Sequence, residues 1–313
     1  MTRYLVTGGA GFIGSNIAEA LVAQGATVRV ADNLSTGRRE NMAAFIDQIE
    51  FLEGDLAELD VARAAVANVD YVLHQAAIPS VPRSVADPLL NNRAGTQATL
   101  NLLVAARDAG VKRLVFASSS SIYGDADDAA TPKAETMLPR PLSPYGVSKL
   151  AAESYCLAFY TVYGFEAVAL RYFNVFGPRQ DPTSEYSAVI PKFITRILNG
   201  QQPIIYGDGE QTRDFTYVGN IVAANLQALT HPNAPGQVFN IAMGQATSLN
   251  QLVTLIGELT GQPVAAHHDP PRPGDILHSS ADITRARAVL EFTPQISFLE
   301  GLRRTIAWYR TTA

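Results

Sequence analysis

The chain has 313 residues, 47% of them hydrophobic and 17% charged, with a net charge of -5; this is ample for one large core or two modest ones. It has no Lys/Arg-rich run, which excludes the electrostatic footprint of a nucleic-acid or anionic-membrane binder. Cys156 is the single cysteine, which excludes an internal disulfide and a cysteine-based metal site; it reads as a helix-packing residue, and no metal is expected.

Met1 leads directly into a predicted strand and a glycine loop, with no charged segment followed by a long apolar stretch. A signal peptide and a membrane span are therefore not expected, and the expected location is the cytoplasm. Runs of β-branched and apolar residues at 4–7, 27–31, 50–53, 71–74, 113–118 and 167–171 read as strands, with helical stretches between most of them. This alternation predicts an α/β fold: a Rossmann-type, doubly wound parallel sheet covered on both faces. After Arg171 the pattern breaks up around Gly177-Pro178, Pro182, Gly207-Asp208-Gly209 and Pro270-Pro271-Arg272-Pro273-Gly274, which predicts a smaller C-terminal domain. The apolar run 238–241 reads as one more sheet strand. The expected division is thus interleaved: residues 1–172, with a returning strand near 237–242, bind the cofactor, and 173–313 mainly bind the substrate.

The first strand runs into Thr7-Gly8-Gly9-Ala10-Gly11-Phe12-Ile13-Gly14. Gly8, Gly11 and Gly14 permit a tight turn, a close approach of backbone to a pyrophosphate, and donation from a helix N-terminus, with Phe12 and Ile13 at the helix start. A dinucleotide is the implied ligand. Asp32, with Asn33 beside it, ends the second strand, where a carboxylate accepts from both ribose hydroxyls and repels a 2′-phosphate. NAD is favoured, although Arg38 and Arg39 stand close enough in sequence to meet the extra phosphate of NADP. Asp55-Leu56 and Ala76-Ala77 fall at the ends of the third and fourth strands, where adenine and pyrophosphate lie in such folds; helix capping and close packing are their alternative uses. Asn92 completes the expected cofactor contacts.

Tyr145 and Lys149 are four apart in a helical stretch opening near Ser143-Pro144, so they share one helix face. An ammonium there favours the phenolate and lowers the tyrosine pKa toward working pH, and a cationic nicotinamide acts in the same direction. Ser119, in the run from Ser118 to Ser121 after the fifth strand, is placed to orient the same substrate hydroxyl.

These segments resemble the extended branch of the short-chain dehydrogenase/reductase superfamily over nearly the whole chain, and within it the nucleotide-sugar 4-epimerases. Ser120 and Ser121, ahead of Ile122-Tyr123-Gly124, stand where related dehydratases and decarboxylases carry acidic residues. What the resemblance implies is removal and return of a hydride at one carbon. Tyr145 takes the sugar 4-OH proton while the C4 hydride passes to NAD, and the 4-keto sugar turns to receive it on its other face.

Arg171-Tyr172-Phe173-Asn174-Val175-Phe176-Gly177 is similar to the family segment whose asparagine contacts the diphosphate. Glucuronate epimerases usually carry threonine at that place, so Asn174 implies an uncharged sugar. The resemblance assigns Arg213 and Arg272 to the diphosphate and ribose, a role suited to the forked guanidinium, with Tyr206 and Asp275 alongside. Ser80-Val81-Pro82-Arg83-Ser84, Gly177-Pro178-Arg179-Gln180-Asp181-Pro182 and Ala188-Val189-Ile190-Pro191-Lys192 look like bacterial UDP-N-acetylglucosamine 4-epimerases. They add Ser80, Ser84, Gln180, Ala188 and Val189 to the expected substrate contacts, which also include Ser119 and Ser120 of the serine run. Ser279 falls where many UDP-glucose epimerases of the family have a tyrosine, leaving room for an N-acetyl group without excluding plain sugars. In relatives, helices matching 89–109 and 145–163 form a four-helix interface, so a homodimer is expected, with no nucleic-acid or membrane partner. Two other readings stay open: a UDP-glucuronate or other nucleotide-sugar epimerase, and a non-catalytic NAD-binding regulator. Intact Ser119, Tyr145 and Lys149 argue against the regulator.

Overall fold

The computed structural model describes residues 2–124, 131–182, 189–262, 264–271 and 277–312. Six strands come from the first half: β1 (Arg3–Thr7), β2 (Thr27–Asp32), β3 (Ile49–Glu53), β4 (Tyr71–His74), β5 (Arg113–Ser119) and β6 (Ala167–Tyr172). Between them run α1 (Phe12–Ala23), α2 (Leu59–Val66), α3 (Val81–Ala86), α4 (Pro88–Asn92), α5 (Ala98–Asp108) and α6 (Pro144–Tyr163). The second half carries β7 (Val175–Phe176), α7 (Val189–Leu198), β8 (Ile204–Tyr206), β9 (Thr212–Arg213), β10 (Thr216–Tyr217), α8 (Val218–Thr230) and β11 (Val238–Ile241). It ends with β12 (Thr247–Ser248), α9 (Leu249–Thr260), β13 (His267–Asp269), β14 (His278–Ser279), α10 (Thr284–Val289) and α11 (Phe298–Thr312).

The main sheet has the order β3-β2-β1-β4-β5-β6-β11, with every neighbour parallel. Every residue of β5 and β6 is buried, as expected of strands covered on both faces. Leu102, Leu103, Cys156 and Phe159 cover one face from α5 and α6, with Ala62, Ala65 and Val66 from α2. Ile17 and Leu21 of α1 cover the other, joined by Ile221, Ala224 and Ala228 of α8 and by Ala286 of α10. Strand order reverses between β1 and β4, which opens a crevice at their C-terminal ends.

The second half returns more to the sheet than its one expected strand. A parallel strand needs a crossover, and α8 supplies it between β6 and β11, while α10 packs on β11. The remainder builds a separate core from α7, α9 and α11, with Phe193, Ile197, Leu252, Ile256, Leu302 and Ile306 buried in it. Among the described residues, no helix is long and apolar enough to cross a membrane.

One expected helix is interrupted. The stretch 89–109 divides into α4 and α5 around a π-helical turn, Arg93–Gln97. In that turn Gly95 faces α6, where a Cβ would come within 2.9 Å of the Ser148 hydroxyl.

Candidate active site

The glycine loop sits at the β1/β4 crevice. Gly8 has φ +65°, and a Cβ on it would lie 2.7 Å from the Ala76 backbone, while one on Gly14 would lie 2.2 Å from the Gly8 carbonyl oxygen. Turn, strand end and helix start are therefore packed as closely as backbone allows, which leaves the amides of the α1 N-terminus open toward the crevice. Asp32 is buried at the end of β2; its carboxylate accepts from Ala10 N at 3.0 Å and Leu34 N at 2.8 Å. Burial raises its pKa, partly offset by those amides. A carboxylate offers about four acceptor positions, so a ribose can still be accommodated. Leu56 is buried, and the Asp55 carboxylate accepts from Ala57 N at 2.9 Å and pairs with Arg93 at 3.1 Å. Asn33 is exposed and bonds the amide of Ser35.

The catalytic candidates meet where β5 ends beside α6. Ser143 caps α6 by accepting from Gly146 N at 3.2 Å, and Pro144 occupies its first turn, where a missing N–H costs nothing. Gly146 lets this turn approach the serine run: a Cβ there would be 2.7 Å from the Ser121 carbonyl oxygen. The Ser119 side chain is near enough to Tyr145 to lower its pKa, and its hydroxyl donates to Ser121 Oγ at 3.1 Å. Lys149 is buried, donates to the Ala117 carbonyl at 2.7 Å, and has its ammonium 6.0 Å from the Tyr145 ring centroid.

The electrostatics correct one expectation. Burial raises the Tyr145 pKa, with only the neighbouring Ser119 hydroxyl pulling it down. Burial also lowers that of Lys149 to about 8. In the protein alone the lysine does not bring the phenol toward working pH, because desolvation outweighs a charge at this range.

Beneath the serine run, Glu153 and Arg171 form a buried ion pair with contacts of 2.6 and 3.0 Å. Ser118 donates to Glu153 at 2.6 Å, Arg171 donates to the Tyr123 hydroxyl at 2.8 Å, and Tyr123 donates to Asn240 at 2.6 Å. One satisfied network thus ties β5, α6, β6 and β11 together under the site.

Two expected substrate residues serve the scaffold. Ser80 caps α3 by accepting from Arg83 N at 3.2 Å. Ser84 is fully buried, donating to Val81 O at 2.6 Å and accepting from Tyr145 N at 3.0 Å, so it holds the catalytic helix. Ser120 opens the short turn after β5, half-buried.

On the other wall, Asn174 (φ +35°) donates to Asp214 O at 3.3 Å, and β14 pairs with β9 so that Ser279 lies in register with Arg213. Arg213 donates to Thr212 O at 2.9 Å. Asp214 is fully buried and accepts from Met243 N, Gly244 N and Ala281 N, tying together the segments around this wall; burial pushes its pKa up to about 6. Gln180 donates to Val175 O at 3.1 Å, Val189 opens α7, and Tyr206 ends β8 opposite Asp269. Ala188, Arg272 and Asp275 lie outside the described residues.

The model of the NAD dependent epimerase/dehydratase family matches residues 4–242. The chain belongs to this family. It is 39% identical over 312 residues to a UDP-glucose 4-epimerase of Mycolicibacterium smegmatis, with 98% of each chain covered. It superposes with a TM-score of 0.94 and 41% identity on a UDP-N-acetylglucosamine 4-epimerase from Methanobrevibacter ruminantium in complex with UDP-N-acetylmuramic acid, covering 100% of this chain and 99% of that one. For the Thermus thermophilus UDP-glucose 4-epimerase in complex with NAD the TM-score is 0.89 at 38% identity, with both chains fully covered.

As in its family, the cofactor is NAD, and the crevice fits it: close-packed glycines, an acidic β2 end, and an α1 N-terminus facing the switch point. Arg38 and Arg39, the residues that kept NADP open, pair at 2.6 Å with Asp181 and Glu53. Asn92 is exposed, whereas its neighbour Asn91 is buried with an Oδ1 that has no hydrogen-bond partner among the described residues, as of a group left for a ligand or water. Asn91 was not among the residues expected from sequence.

Proposed function

We propose that this NAD-dependent UDP-sugar 4-epimerase interconverts UDP-N-acetylglucosamine and UDP-N-acetylgalactosamine, and also accepts UDP-glucose and UDP-galactose. The observation that carries the reading is Ser279, half-buried and in register with Arg213: a small side chain beside the arginine assigned to the diphosphate. Asn174 and Arg213 grip the nucleotide end, and Arg272 and Asp275 join them by resemblance. Ser119 orients the 4-hydroxyl, and Tyr145 removes and returns its proton. NAD, when bound, supplies a reversible hydride acceptor at C4 and a positive ring beside the phenol. Because burial holds the Tyr145 pKa up, the phenolate depends on that added charge together with Lys149. Gly8, Gly11, Phe12, Ile13, Gly14, Asp32, Asn33, Asp55, Leu56, Ala76 and Ala77 line the cofactor half. Residues 1–172 with the returning segment form that half, and most of 173–313 holds the sugar nucleotide.

We place the enzyme in the cytoplasm as a homodimer. Leu89, Leu90, Val147, Tyr155 and Val162 expose apolar surface on α4 and α6, which pack together, and this supports a helical interface. Sedimentation of a monomer alone at micromolar concentration would remove the dimer.

The deciding assay incubates purified protein, without added cofactor, with UDP-N-acetylglucosamine, UDP-glucose or UDP-glucuronate and separates the products by chromatography. Ser279→Tyr should abolish turnover of the acetylated sugar and spare UDP-glucose. Equal loss of both defeats the pocket argument, and preferential conversion of the glucuronate transfers the assignment to that substrate.

A further inference from the structure

His74 ends β4 fully buried, so it touches neither cofactor nor sugar, yet both of its ring nitrogens are engaged. Nδ1 lies 2.6 Å from Thr7 Oγ1, and Nε2 lies 2.9 Å from Thr99 Oγ1. The direction of each bond follows from what lies beyond it. Thr99 donates its proton to the Gly95 carbonyl at 2.6 Å, so it must accept from Nε2–H. Nδ1 is then the acceptor for Thr7, whose oxygen accepts from Ala76 N at 3.3 Å.

The result is one unbroken line: Ala76 N–H to Thr7, Thr7 to His74, His74 to Thr99, Thr99 to Gly95. Its first end is the cofactor crevice, where Ala76 abuts Gly8 and Thr7 precedes it. Its second end is the π-turn, where Gly95 meets Ser148, whose hydroxyl donates to the Tyr145 carbonyl at 2.9 Å. The Phe116 ring packs near both the imidazole, with ring centroids 5.6 Å apart, and the Lys149 ammonium, 4.9 Å from its centroid.

We propose that His74 is a positioning residue: a neutral strut that sets the spacing between the glycine loop of the cofactor site and the turn of α6 bearing Tyr145 and Lys149. Of the two protonation states of histidine, only the neutral imidazole offers one donor and one acceptor at once, as the line requires. Burial, with the Lys149 charge adding to it, holds the His74 pKa down to about 3, so the ring stays neutral throughout the working range. A buried leucine would fill the volume but leave the Thr7 hydroxyl without its acceptor.

This inference rests on Tyr145 and Lys149 being the catalytic pair. The test compares His74→Phe, His74→Asn and Thr99→Val by bound NAD per purified chain and by kcat and KM with excess NAD. Phenylalanine cuts both bonds; asparagine restores an acceptor near Nδ1; valine at position 99 cuts the α6 side alone. His74→Phe should lose bound NAD and drop kcat roughly tenfold or more, and His74→Asn should recover the NAD but not the kcat. Thr99→Val should keep its NAD and lower kcat without raising KM, and it decides alone if His74→Phe fails to fold. Parental kcat and NAD content in the folded variants, whatever their melting temperatures, would reduce His74 to core packing. Tyr145→Phe, run alongside, separates the two ideas: full activity there sinks the base assignment, whereas an inactive Tyr145→Phe with parental His74 and Thr99 variants sinks only the strut.

Discussion

Replacing Gly146 by alanine sets two effects of opposite sign against each other. Within the first turn of α6, glycine to alanine should stabilise a free helix by about 1 kcal/mol. The new methyl would, however, lie 2.7 Å from the Ser121 carbonyl oxygen and 2.9 Å from Pro141 Cβ, where ordinary contact begins near 3.4 Å. A gap of about 0.7 Å must open between the serine run and the helix, at a packing cost of about 1–3 kcal/mol. Packing should win, giving little net stability change or a modest loss. The larger effect is on geometry, because Tyr145 is the adjacent residue and Ser119 belongs to the displaced run. A shift of that size should lower kcat roughly ten- to hundredfold with bound NAD retained, since the glycine loop is untouched. The assay is kcat by product chromatography, with NAD content and thermal unfolding on the same preparation. A Gly146→Ala protein with kcat within twofold of the parent would refute the reasoning, above all if it were also more stable.

Tyr145→Phe should lower kcat about 10²- to 10⁴-fold while retaining bound NAD; turnover near the parental rate would rule out the phenol as the base. Lys149→Met should abolish efficient turnover yet stabilise the NAD-free protein at pH 7 by about 3 kcal/mol, because the lysine is held in a site that lowers its pKa from 10.5 to about 8. Below pH 8 both folded and unfolded chains keep that proton and the penalty is complete. Between pH 8 and 10.5 the folded chain has lost a proton that the unfolded chain still holds, so parental stability rises with pH and the advantage of Lys149→Met shrinks. A difference that stays flat across this window in urea titrations would contradict the burial argument. Glu153→Gln strips the buried Arg171 of its counter-charge and should cost about 3–5 kcal/mol; a loss below about 1 kcal/mol would mean that the network relaxes freely.

The sheet was legible because parallel strands buried on both faces read as apolar runs, and each observed strand matches its expected run or extends it by one residue at one end. The glycine loop, the acidic end of β2 and the Tyr145/Lys149 spacing were legible because each is local. The misses share a cause: they depend on what packs from elsewhere. A π-turn takes up one residue more than an α-turn, which breaks the single helix expected over 89–109. Ser84 was expected among the sugar contacts because its segment resembles that of UDP-N-acetylglucosamine 4-epimerases, but α6 covers it and uses it. The sign of the Tyr145 shift depends on desolvation, which spacing does not reveal. Likewise nothing local in α8 marks it as the crossover to β11.

That crossover has a consequence for how the chain is made and cut. Until residue 241 has emerged from the ribosome, β6 is an open sheet edge, seven decades of sequence after its own synthesis, with its hydrogen-bonding groups available to any stray strand. A protease that nicked the connection after Tyr172 would not release a complete cofactor half either, because the seventh strand would depart with the other fragment.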